Sequence, residues 1–350
     1  MWPATCQPDN DHAAYHLTVG KPLAEVSARV AARTRAWPLG HWYWGDAIAI
    51  DGLLAVAHVD RAAIETHLLE VLGGWLRSVP PGYHDALAPG AAIAQLVAKG
   101  MLPEAAADRF LRALDQLPIL CGSVPVLEPH LPQYRFGLCI DAVYHVPSAL
   151  AAIGAYRDDA RLLTRAVTVA TEMLARLTCA EGWAHWYDVG RGCNNAIPWS
   201  RGLGWALLGV LDTVKWTRDR VNSDLLVDLA KQIQAALAAS QEETGHLGPV
   251  LGRHDLLPES SVAAFFVAAA LHPEATWPSD GSGLVAAQGA LLQSLGADGT
   301  YRGVSADVLP TWDPVRYERF DVEPSPWGQG AALRALAAMM AVKASPSADL

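Results

Sequence analysis

The chain has 350 residues, 51% hydrophobic and 18% charged, with a formal net charge of -10 at pH 7. A disordered chain is excluded, because disorder needs few apolar residues and much charge. The acidic balance argues against nucleic acid, and no run approaches the roughly 18 to 20 apolar residues of a membrane span, so neither is an expected partner.

The chain opens Met1-Trp2-Pro3 with no basic segment ahead of an apolar run, so no secretory signal is read. From there, apolar residues recur at i, i+3, i+4 and i+7, interrupted by Gly, Pro and Asn, while alternation of period two is almost absent. This spacing predicts twelve helices, over 22–36, 45–58, 60–77, 87–99, 103–116, 138–156, 158–177, 201–216, 221–240, 259–271, 283–296 and 327–342. A long connection over 117–136 carries Pro118, Pro125, Pro129 and Pro132, and residues 343–350 read as a flexible tail.

Two kinds of helix alternate. The odd ones carry their charge on one face, as with Glu25, Arg29 and Arg33, or Asp158, Arg161, Arg165, Glu172 and Arg176. The even ones are nearly uncharged and rich in small residues, as in Val262-Ala263-Ala264-Phe265-Phe266 and Ala331-Ala332-Leu333. A helix apolar all round is buried all round, whereas a one-sided helix is half wet. Six of each describe an all-α fold, an (α/α)6 barrel whose inner ring is wrapped by an outer one. The expectation is a single domain over 1–350, with a short N-terminal extension.

The even helices also start alike. Their openings include Trp42-Tyr43-Trp44-Gly45-Asp46, Tyr83-His84-Asp85, Phe136-Gly137-Leu138-Cys139-Ile140-Asp141, Trp199-Ser200-Arg201-Gly202-Leu203-Gly204-Trp205, Leu257-Pro258-Glu259 and Pro326-Trp327-Gly328. Inner helices that run the same way bring these segments to one mouth. Helix N-termini there favour an anionic ligand. The chain holds 13 Trp and 12 His against 5 Phe. Flat faces with polar handles suit a pocket for ring-shaped polar ligands, although Trp also serves as plain core.

Candidate residues follow from this mouth. Asp141 lies in an apolar stretch, where desolvation lets a carboxyl hold a proton as a general acid; the alternative is an N-cap. Asp85 is a second carboxylate or a cap. Asp46 and Glu259 read as first-turn and cap-region acids. Arg201 is an isolated cation, of a type that grips carboxylates bidentately. His185 stands among three aromatics, and His130 lies 11 residues before Asp141. Trp44, His84, His145, Trp199, Trp205 and Trp327 complete the ligand-facing set.

Five cysteines, Cys6, Cys121, Cys139, Cys179 and Cys193, form no CxxC and no Cys/His metal spacing. They read as reduced thiols of a cytoplasmic protein. No HExxH, DDxxD, GxGxxG, phosphate-binding loop or GxSxG occurs, so no metal and no cofactor is expected.

Four segments carry a resemblance: Ile140-Asp141-Ala142-Val143-Tyr144-His145-Val146-Pro147, His185-Trp186-Tyr187-Asp188, Trp199-Ser200-Arg201-Gly202-Leu203-Gly204-Trp205 and Trp327-Gly328-Gln329-Gly330-Ala331. In order, over about residues 37–342, the chain resembles the unsaturated glucuronyl and rhamnogalacturonyl hydrolases, glycoside hydrolase families 88 and 105. The family's fold is the (α/α)6 barrel. The resemblance implies removal of a 4,5-unsaturated uronic acid from lyase-derived oligosaccharides by hydration of the C4=C5 enol ether, with no metal or cofactor. By the same resemblance Asp141 is the acid/base, Asp85 assists the water, and His185, Trp199, Arg201, Trp205 and His130 line the pocket. Two departures stand out: His145 where Met is common, and His185-Trp186-Tyr187-Asp188 where the family often shows H-G-W-D. Competing readings are a two-carboxylate glycosidase acting on intact sugars and a non-catalytic saccharide-binding barrel.

Overall fold

A computed structural model describes residues 22–40, 44–78, 89–119, 137–276 and 281–344. The candidates His84, Asp85 and His130, with most of the 117–136 connection, lie outside the described residues.

Every predicted helix is present. The odd, outer ones are α1 (Leu23–Arg35), α3 (Arg61–Ser78), α5 (Ala105–Asp115), α7 (Ala160–Leu177), α9 (Asp224–Ala239) and α11 (Ser282–Gln293). The even, inner ones are α2 (Trp44–Ala55), α4 (Gly90–Ala98), α6 (Ala142–Arg157), α8 (Ser200–Thr217), α10 (Ser260–Ala270) and α13 (Pro326–Ala344). A short α12 (Val315–Glu318) was not predicted. The α13 helix runs through Ala344, so part of the expected C-terminal tail is helical.

Burial separates the two kinds as their sequences require. In α2 every residue from Trp44 to Leu54 is buried, and α10 is buried throughout. In α5 only Ala106, Ala107, Phe110 and Leu114 are buried, one stripe of an otherwise wet helix. Inner helices meet in the sequence α2–α4–α6–α8–α10–α13, and α13 packs back on α2, so the ring closes. The outer helices pack against this ring, α7 on α6 and α9 on α8 for example.

Closure at this diameter needs backbones in contact. The carbonyl oxygen of Gly330 on α13 lies 2.7 Å from where a Cβ on Gly52 of α2 would stand. On the far side of the ring, a Cβ on Gly209 of α8 would run into the Val143 carbonyl and the Tyr144 backbone of α6. Pro147 lies inside α6 and has no N–H to offer the Val143 carbonyl four residues back. Gly209 thus packs against the carbonyl that Pro147 leaves free.

Short strands correct the purely helical expectation. The predicted helix over 138–156 begins only at Ala142, because Gly137–Cys139 is a strand, β1. It pairs antiparallel with β4 (Trp186–Asp188), which pairs with β5 (Cys193–Asn194). A second pair joins β2 (Thr178–Cys179) to β3 (Gly182–Trp183). Among the described residues no helix is long and apolar enough to cross a membrane.

Candidate functional site

The small sheet assembles the site. Cys139 stands opposite Trp186, and beyond that pair the Ile140 N–H donates to the His185 carbonyl at 3.0 Å. His185 is thereby fixed beside the turn that leads into α6, where Asp141 is the N-cap residue. A ring nitrogen of His185, the Cys139 Sγ and a carboxylate oxygen of Asp141 all lie within 4.8 Å of one another. Gly137 is a condition of this arrangement, since the Trp186 ring occupies the place a Cβ there would take.

Asp141 is 8% exposed and makes no capping hydrogen bond. Its carboxylate is not spent on the helix terminus, which removes the capping alternative. The Cys139 thiol approaches Oδ2 at 3.7 Å. Glu259 behaves oppositely. It caps α10 through Ser261, accepts from the Ser305 N–H at 2.9 Å and is fully buried, as a cap-region acid should be. Asp46 is also a buried first-turn acid and accepts from the Gly40 N–H at 2.8 Å.

His185 is neutral. Burial, reinforced by the Arg201 charge, pushes its imidazole well below the usual histidine range. Its Nδ1 meets the Tyr317 hydroxyl at 2.7 Å. That hydroxyl accepts from the Thr311 N–H and from Asn195 Nδ2, both at 3.2 Å. The Asn195 amide is oriented in turn, because its Oδ1 accepts from the N–H groups of Trp186 and Ile197. With both lone pairs of Tyr317 occupied, its proton goes to Nδ1, and His185 carries its own proton on Nε2. Burial raises the Tyr317 phenol, so it keeps that proton. The backbone supports this corner at some cost: Ala196, between Asn195 and Ile197, has φ 54°. Tyr317 and Asn195 had no sequence signal, since one lies on the short α12 and the other in a loop.

Arg201 corrects an expectation. A bidentate grip on a ligand carboxylate was anticipated, but the guanidinium is 0% exposed and both Nη atoms are engaged. Nη1 donates to the Ser305 carbonyl at 2.9 Å and its hydroxyl at 2.6 Å, and Nη2 to the Ala306 carbonyl at 3.1 Å. Glu259 Oε1 lies 3.7 Å from Nη1. The cation is boxed by Trp199, Trp44 and Trp327, with ring centroids 4.7, 5.9 and 5.7 Å away. Arg201 therefore ties the 305–306 segment to α8 and projects charge from behind an aromatic wall. His185, biased toward its neutral form, adds no positive charge beside it.

Other aromatic candidates converge on the same end. Trp44 packs on Trp327 at 4.6 Å and on Trp205 at 6.0 Å, and Trp199 stacks on His185 at 4.2 Å. His145 and Trp205 lie one layer deeper, with ring centroids 5.3 Å apart, and both are buried. Three donors in the first two turns of α8, Ser200 Oγ, Arg201 Nε and Trp205 Nε1, are buried without a hydrogen-bond partner. A buried donor left unpaired costs about 1–3 kcal/mol. Beside this cluster lies a cavity of about 510 Å³, walled by 306–311 with Arg316, Arg319, Phe320 and Asp321. The charge of Asp307, one of its wall residues, reaches Arg201.

Thiolate, carboxylate and imidazole are donors zinc accepts. Tetrahedral ligands at about 2.0–2.3 Å from zinc lie about 3.5 Å apart. Cys139 Sγ and Asp141 Oδ2, 3.7 Å apart, already stand near that spacing, and all three donor atoms lie within 4.8 Å of one another.

Residues 175–343 match Glycosyl Hydrolase Family 88. A structure of a possible member of family GH105 from Salmonella enterica superposes with a TM-score of 0.81 at 15% identity, covering 98% of this chain and 100% of that one. A family 88 glycosyl hydrolase from Bacteroides vulgatus gives 0.73 at 16% identity, with coverages of 91% and 98%. The unsaturated glucuronyl hydrolase of Bacillus sp. GL1 gives 0.69 at 16% identity, with coverages of 92% and 96%. At these identities the structural matches establish the six-hairpin barrel. No curated protein matches the chain in sequence.

Proposed function

Taking the chain as a glycoside hydrolase with a family 88 segment over 175–343, we propose that it removes a 4,5-unsaturated uronic acid from the non-reducing end of short oligosaccharides, with Asp141 as general acid and base. The observation that carries this reading is the Asp141 carboxylate. It is buried at a helix N-terminus, unused as a cap, and next to a neutral imidazole and an aromatic wall. The solved neighbours include an unsaturated glucuronyl hydrolase.

An enol ether takes a proton on carbon only from a well-placed acid. Asp141 protonates C4, and positive charge develops at C5 and the ring oxygen. Water adds to C5 and returns a proton to Asp141. The resulting hemiketal opens by cleavage of the C5–O5 bond, leaving a ketone at C5 and a hydroxyl on C1. That hemiacetal collapses and expels the remaining saccharide. Asp85 is the proposed partner that orients the water, and His84 and His130 are proposed pocket residues.

The remaining assignments follow from the geometry. His185 presents an Nε2–H donor and no charge. Arg201 supplies positive potential to the uronate and holds the 305–306 segment, which makes it a positioning residue. Trp44, Trp199 and Trp327 give the flat wall, and Trp205 and His145 back it. The departing saccharide lies toward the 510 Å³ cavity beside Arg201. The order of events tests the chemistry: hydration removes the enol-ether absorbance before or together with release of the saccharide, whereas hydrolysis at the anomeric carbon releases the saccharide while that absorbance is still present.

A further inference from the structure

The last turns of the inner helices enclose a second polar cluster, unrelated in position to Asp141. From Arg201 to Lys215 is about 20 Å along α8 at 1.5 Å per residue. Here a cavity of about 320 Å³ is lined by residues of all six inner helices and by the segment after α10.

Its acids are treated unequally. Asp212 is saturated: Arg334 Nη2 donates to both of its oxygens, at 3.0 and 2.9 Å, and His272 Nε2 lies 3.2 Å from Oδ1. Arg334 Nη1 is directed to the Tyr144 hydroxyl at 3.3 Å. Asp51 receives only the Tyr144 proton, on Oδ2 at 2.6 Å. Its Oδ1 has no hydrogen-bond partner although the residue is 4% exposed and lines the cavity. A buried carboxylate oxygen without a donor is a cost the fold leaves standing, and a ligand hydroxyl relieves it.

The rim is complementary. Lys215 is exposed, has no carboxylate within ion-pair distance among the described residues, and rests over the Trp216 ring at 4.9 Å. Its cationic neighbours are already paired, Arg218 with Glu274 and Arg220 with Asp158. Gln95 adds an amide that both donates and accepts, and Trp216 adds a flat face. An adjoining cavity of about 310 Å³ shares Gln95, Lys215 and Trp216. The volume is at the small end of ligand sites and suits one sugar ring.

We propose that this cavity is a second ligand site that takes a monosaccharide acid, its hydroxyls donating to Asp51 Oδ1 and its carboxylate turned outward to the Lys215 ammonium. The inference stands apart from the chemistry at Asp141.

Calorimetric titration of the full chain with saturated D-glucuronate, D-glucose and putrescine tests it. The sugar acid is expected to bind. Lys215→Glu at the exposed rim and Asp51→Asn inside are each expected to weaken it about tenfold, and glucose, without the acid, to bind about tenfold more weakly. No glucuronate binding, or binding that both variants leave intact, overturns the proposal. So does putrescine binding more tightly than glucuronate, which makes the ligand a cation. Lys215→Glu decides the matter alone should Asp51→Asn fail to fold. Glucuronate has no C4=C5 bond, so turnover of an unsaturated disaccharide by the same preparation reports separately on the catalytic reading.

Discussion

The Tyr317 hydroxyl stands 2.7 Å from His185 Nδ1 and fixes which imidazole nitrogen carries the proton. Tyr317→Phe removes that constraint and leaves the Thr311 and Asn195 donors unmatched. Turnover is expected to fall about tenfold, the worth of one such bond. The ¹⁵N shifts of His185 check the cause. They are expected to report a proton on Nε2 in the wild-type protein, insensitive to pH between about 5 and 8, and a tautomer mixture in the variant.

Arg201→Lys keeps a charge and loses the fork. Lysine cannot reach the Ser305 carbonyl and hydroxyl and the Ala306 carbonyl together from within three tryptophans, and it leaves Glu259 without its nearby cation. A loss of about 3 kcal/mol in urea unfolding is expected, as for broken buried ion pairs, together with lower turnover as the 305–306 segment loosens.

Gly137→Ala forces the Trp186 ring aside. Overpacking of this kind costs about 2 kcal/mol. Because Trp186 follows His185 directly, displacement of the imidazole is expected to cost more in activity than in stability, about 10²-fold in turnover. Parallel measurement of unfolding and kcat separates the two effects.

Asp51 carries a pH signature. Burial pushes its carboxyl up to about 6 from 3.8, against the opposing pull of Arg334 and the Tyr144 hydrogen bond. A group whose folded pKa is raised contributes stability that is complete below pH 3.8 and lost as pH rises through 6, here about 3 kcal/mol. Asp51→Asn does not titrate. Its stability relative to the wild-type protein is therefore expected to improve by about that amount between pH 4 and pH 7, as read by denaturant unfolding at both values.

The barrel was legible in the chain because burial on all sides excludes charge. Val262–Phe266 and Ala331–Leu333 announce inner helices, while the one-sided charges of α1 and α7 announce outer ones. The site was legible in part. Asp141, Trp199, Arg201 and Trp327 stood in recognisable helix starts, and the structure brings them to one end. Strands of two or three residues such as Gly137–Cys139 are too short to show a period, so the device that seats His185 beside Asp141 stayed hidden. Backbone carbonyls carry no side-chain signal either, which is why Arg201 read as a ligand clamp and not as a tie to Ser305 and Ala306. Tyr317 and His185 are 132 residues apart, and no local pattern joins them.

The central claim is proton delivery by Asp141 to an unsaturated uronate. Absorbance of the enol ether, followed with an unsaturated disaccharide, measures it directly. The wild-type protein is expected to bleach the band, and Asp141→Asn to slow bleaching about 10²–10⁴-fold. Cleavage of the disaccharide with the band intact, or an Asp141→Asn variant at full rate, would contradict the account.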